Sequence, residues 1–83
     1  MGAFIPHGTL RNVDLNEVFE SGAYIISLNE STNQNMPVER NGVLLVFKSR
    51  LNENIYTPQI YVDTDSKLFY RLYTSYWSAW KEL

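Results

Sequence analysis

The chain has no cysteine and a single histidine among its 83 residues. Without thiols there is neither a disulfide framework nor a thiolate zinc site, and one imidazole, His7, cannot supply a histidine-based triad or a multi-histidine metal centre. Positive charge is also scarce. Seven Lys and Arg face nine Asp and Glu, for a net charge of −2, and the basic residues are scattered, which argues against a nucleic-acid partner because phosphate binding needs a clustered basic surface. The longest apolar run, VLLVF at 43–47, is far too short to cross a bilayer, so membrane insertion is not expected. Internal repeats and low-complexity tracts are missing as well.

What is present describes a small folding domain. Hydrophobic residues make up 45% and charged residues 19%, an ordinary globular balance. A domain of this length buries only about 60–65% of its unfolded surface, so its stability rests on packing or on association with other chains. Six of the aromatic residues are tyrosines, which bury a ring while keeping a hydroxyl in contact with water or a partner.

Along the chain, residues 1–12 carry Pro6 and Gly8 without a period and read as an extended lead-in or linker, packing Phe4 and Ile5 on the body, with a single domain over 13–83. DLNEVFESG at 14–22 has Asp14 as an N-cap, Glu17 three residues on and Gly22 as a stop, with Leu15, Val18 and Phe19 on one face; this predicts a helix of about two turns. Strands are expected at 23–28, 42–48, 55–62 and 68–74, with a short fifth in WSAWKEL. Residues 29–41 read as a long polar loop, 49–54 as a turn and DTDSK at 63–67 as another. Pro58 cannot donate to a ladder and is expected at an edge or bulge. The expected fold is α+β: one short N-terminal helix packed on an antiparallel meander of about four or five strands.

No set of residues assembles into catalytic machinery. Asp63 and Asp65 lack the glycine and closing glutamate of a calcium loop and suit a hairpin turn, so no metal site is expected. Glu17 and Glu20 sit on the solvent side of the predicted helix. Asn29-Glu30-Ser31 matches a glycosylation pattern that means something only in a secretory context. Gln59 and Arg71 stand among large apolar residues, and either form a polar recognition surface or hydrogen-bond in the interior. Tyr73, Tyr76 and Trp77 are candidate surface contacts, together with Gln59 and Arg71, while Leu15, Phe19, Tyr24, Leu45 and Trp80 are the candidate core.

The order of landmarks resembles the small knob domain of R-type pyocin and bacteriophage tail fibres. That family runs from a DLN-type helix through a Gly-x-Tyr strand, an Asn-x-Pro loop, a Gly-x-Leu-x-Val strand, a Gln-x-Tyr strand and a Tyr-Arg strand to Trp-x-x-Trp. Here the elements are DLNEVFESGAYII (14–26), NMP (35–37), GVLLVF (42–47), QIY (59–61), FYR (69–71) and WSAWKEL (77–83). The Asn-rich stretch before NMP and Pro58 before Gln59 depart from the pattern. The resemblance implies a non-enzymatic receptor-binding or spacing module of a virion or bacteriocin tail fibre, working in a homotrimer and without cofactors. A second hypothesis is a carbohydrate-binding module whose exposed Tyr and Trp faces stack on bacterial surface polysaccharide.

Overall fold

The computed structural model describes residues 5–29 and 32–83; Phe4 and the last two residues of the glycosylation pattern lie outside them. The chain folds as β1 (Ile5–Thr9), a 3-10 turn (Leu15–Glu17), β2 (Gly22–Ile26), β3 (Gly42–Val46), β4 (Ser49–Leu51), β5 (Asn54–Asp63), β6 (Leu68–Tyr73) and β7 (Lys81–Glu82). The hydrogen-bonded order is β1-β2-β3-β5-β6-β7, with β4 pairing onto β5 off that path.

The architecture is nearly all β, which corrects the α+β expectation. Asp14 does cap a turn, its carboxylate accepting from the Asn16 amide at 2.9 Å, but helical backbone stops after Glu17 and Val18 is already extended. The reason is tertiary. The Val18 carbonyl, which a longer helix would offer to its next turn, instead accepts from the buried Gln59 side chain at 3.0 Å, and the Leu15 carbonyl accepts from it at 2.8 Å besides the Val18 amide at 3.3 Å. A two-turn helix has little cooperative stability with which to compete.

Gly22 opens β2 rather than closing a helix. Its φ of +149° and its closeness to β1 exclude a side chain, because a Cβ there would overlap the Ile5 carbonyl and the His7 ring. Residues 5–9 of the expected lead-in are extended and hydrogen-bonded into the sheet, where β1 runs parallel to β2. The twelve residues between the two strands are enough for a parallel crossover. All other strand pairs are antiparallel.

One face of the sheet carries the core. Tyr24, Ile26, Leu44, Val46, Tyr61 and Phe69 point to it, and Leu15 and Val18 from the β1–β2 crossover cap it. Each fully buried aliphatic side chain here stabilises the fold by about 1.5–3 kcal/mol. The described part of the long polar loop lies on the same side and is zipped to the crossover, with Leu15 N donating to Gln34 O and Gln34 N to Val13 O. Leu45, expected in the core, points to the opposite face and is half-buried, while Leu44 is fully buried.

Two further expectations change. The segment 49–54 is not a turn throughout: Ser49–Leu51 is β4, and only residues 52–53 turn. Pro58 is at neither an edge nor a bulge but lies on the central strand β5, opposite Leu72 of β6. On its other side the ladder breaks between β3 and β4. Phe47 N donates to Pro58 O at 3.2 Å, and the Phe47 carbonyl, which has no proline N–H to meet, accepts from Ser49 Oγ at 3.3 Å.

Candidate functional site

The polar residues singled out in the sequence converge on one closed cluster. Gln59 and Arg71 face each other across the β5–β6 ladder, and Arg71 Nε donates to Gln59 Oε1 at 2.9 Å. Arg71 Nη1 reaches Asn16 Oδ1 at 2.7 Å, Trp77 Nε1 donates to Asn16 O, and Trp80 Nε1 to Asn35 O. Asn35 Nδ2 in turn donates to the Asp14 carboxylate. Hydrogen bonds from Asn35 and from the Asn16 amide hold that carboxylate below its ordinary range. The DLN, Asn-x-Pro, Gln, Arg and Trp-x-x-Trp landmarks are therefore parts of one lock that fastens the crossover, the polar loop and the C-terminal segment to the sheet.

Gln59 and Arg71, candidates for surface contact, are 0% and 5% exposed. The guanidinium lies over the Trp77 ring at 4.1 Å and the Trp80 ring at 4.5 Å, a cation–π arrangement that compensates part of its lost hydration. Burial pulls its pKa down to about 10, so it stays charged at neutral pH. Its Nη2 is buried without a hydrogen-bond partner among the described residues.

The aromatic candidates divide. Trp77 is half-buried and uses its ring on Phe19 (5.4 Å), Tyr73 (5.2 Å) and Arg71; Phe19 and Tyr73 are half-buried with it. Trp80 is half-buried at the rim of the core. Leu15 and Tyr24 lie in the core, and Tyr24 also stacks on His7 at 4.5 Å. Tyr76, 72% exposed, is the one member of the set that stands out in solvent.

A second polar cluster closes the β5–β6 turn. The buried Asp63 carboxylate accepts from the amides of Asp65 and Lys67 and from Arg40 Nε. Burial works to raise its pKa, but these amides and the Arg40 charge outweigh that and lower it. Tyr61 donates its hydroxyl to the Arg40 carbonyl, and burial, helped by Asp63, pushes the phenol up to about 12. Among the described residues no group of His, Asp and Glu is arranged to hold a metal ion, and no helix is long and apolar enough to cross a membrane.

The feature that sequence reasoning did not locate is the other side of the sheet. Side chains alternate along each strand, so the outward positions are Ala23 and Ile25 on β2, Val43 and Leu45 on β3, Pro58, Ile60 and Val62 on β5, and Leu68, Tyr70 and Leu72 on β6. The register sets them side by side: Ile25 opposite Val43, Leu45 opposite Ile60, Ile60 opposite Tyr70. On these four strands no charged residue interrupts the surface, and Lys81 of β7, opposite Tyr70, borders it at the edge; Ile25, Val43, Tyr70 and Leu72 are each exposed. A shallow apolar depression of about 280 Å³ lies at its β6 end, lined by Ile60, Leu68, Phe69, Tyr70 and Leu83. The usual arrangement of an antiparallel sheet is reversed, since the open face is the more apolar one and the covered face holds Thr57, Gln59, Asp63 and Arg71. The signal available in the sequence was the apolar content of both faces of β3, which left open which face is covered.

No family model and no curated protein matches this chain. Among solved structures it is similar to the P. aeruginosa R1 pyocin fibre, in a structure comprising its C-terminal residues 323–701, with a TM-score of 0.79, 28% identity and 98% of this chain covered. The chain spans 22% of the length of that fibre fragment. In fold and in sequence, it is similar to one segment of a pyocin tail fibre, in keeping with a fibre module.

Proposed function

We propose that the chain is a non-enzymatic structural module of a phage or pyocin-like tail fibre, in which the apolar sheet faces of three identical copies pack together and hold the fibre tip toward the bacterial surface. The observation that carries this reading is the uncovered apolar face. A contiguous exposed apolar surface of this kind on a small domain marks an interaction site, and self-association within a closed symmetric oligomer supplies the burial that a single sheet lacks. The similarity to a pyocin fibre supports the assignment. Sedimentation equilibrium of the chain is expected to show a trimer, and Leu72→Asp, which places a charge in the middle of the face, is expected to give a folded monomer. A native chain that stays monomeric into the hundreds of micromolar range would count against the proposal.

The alternative, a glycan-binding module, rests on Tyr76, whose ring is open to solvent. It has less to work with than the sequence suggested, because the Trp77 ring is engaged inside the molecule. NMR titration with host wall polysaccharide separates the two readings, since an absence of shifts at Tyr73, Tyr76 and Trp77 removes the glycan hypothesis.

A further inference from the structure

The pairing of β3 with β5 continues in the same register into the pairing of β4 with β5. Val46 lies opposite Gln59, and Ser49 opposite Tyr56. The two strands that precede Asn52 are thus one hairpin limb, interrupted only where Pro58 lacks an N–H. At ten residues β5 spans about 33 Å, well beyond the five residues of β3 and six of β6, so the distal part of the hairpin projects as a two-stranded arm. Every residue from Phe47 to Asn54 is exposed, and β4 packs against β5 alone. A two-stranded hairpin by itself is marginal in water.

Strand alternation gives the arm two unlike sides. Leu51, 62% exposed, falls with Ser49 and Asn54 on the side of Phe47, Tyr56 and Pro58, which continues the apolar face of the body. Lys48, Arg50 and Ile55 fall on the other.

We infer that the arm is a second segment of the contact between copies, in which the Leu51 sides of arms from neighbouring copies pack against one another. The inference rests on the assembly through the sheet face proposed above. Because the apolar side of the arm continues that face, and rotational symmetry puts equivalent residues at equal height along the axis, whichever copy covers the body also brings its own arm alongside.

The absence of native cysteine allows a clean test. Leu51→Cys and, as a control on the opposite side of the same arm, Arg50→Cys are treated with a short bis-maleimide at concentrations where sedimentation shows the oligomer. Leu51→Cys is expected to give covalent dimers on denaturing gels several-fold more efficiently than Arg50→Cys, with circular dichroism unchanged. An oligomer in which the two variants crosslink equally, or not at all, overturns the role of the arm and leaves the assembly reading standing. A monomeric chain overturns both.

Discussion

Replacing Gln59 with leucine probes the lock at its centre. The side chain is fully buried, and every polar atom of its amide is in use: Nε2 donates to Leu15 O and Val18 O, and Oε1 accepts from Arg71 Nε. Leucine keeps most of the volume and removes all three bonds. The Val18 carbonyl and one guanidinium N–H then lose their partner, while the Leu15 carbonyl keeps the Val18 amide at 3.3 Å, beside an Arg71 Nη2 that already lacks a partner among the described residues. At about 1–3 kcal/mol per orphaned group, less about 1–2 kcal/mol returned by burying an aliphatic chain, the expected loss is about 1–4 kcal/mol. That is a large part of the total for a domain with about 5–15 kcal/mol to lose. The measurement is urea unfolding followed by the fluorescence of Trp77 and Trp80, at one fixed chain concentration because assembly adds stability by mass action. A double cycle with Arg71→Leu is expected to show coupling of at least about 1 kcal/mol, because removing the guanidinium as well spares one orphan. If Gln59→Leu costs less than about 0.5 kcal/mol, as an exposed substitution would, the lock does not hold the crossover in place and the account of the truncated helix fails with it.

The folded-state pKa of Asp63 is lowered, so its contribution is complete above the unfolded value of about 3.9 and is lost as pH falls through the lower folded value. Thermal melts taken downward from pH 6 should show the midpoint dropping in the acid range, and Asp63→Asn should flatten that dependence. Tyr61→Phe removes the hydroxyl bonded to Arg40 O and is expected to lower stability by about 1–2 kcal/mol in the same urea assay. Trp80→Ala loses a half-buried ring, its bond to Asn35 O and its contact with Arg71, for an expected cost of about 2–4 kcal/mol. Tyr76→Ala, at an exposed ring, should change stability by less than about 0.5 kcal/mol, and a larger loss on chemical unfolding would show that Tyr76 is part of the packing.

Much of the sheet was legible because strands are specified locally. The β-branched and aromatic stretches of β2, β3, β5 and β6 and the Asp-rich turn at 63–67 carry their signals within a few residues. The absence of cysteine, of clustered basic charge and of long apolar runs likewise follows from composition alone. The helix was misread for the same local reason: Asp14, Glu17 and Gly22 satisfy the rules for starting and stopping one, while the group that prevents it, Gln59, lies 44 residues from Leu15. Gln59 and Arg71 illustrate the same limit, since a polar residue in an apolar strand is equally consistent with exposure and with burial until its partners are brought to it. Period-two alternation separates the two faces of β3 but does not say which of Leu44 and Leu45 faces the core. Only the tertiary structure decided that, by laying the crossover and the polar loop over one face and leaving the more apolar one open. Burial depends on what covers a face, and those covering segments come from distant parts of the chain.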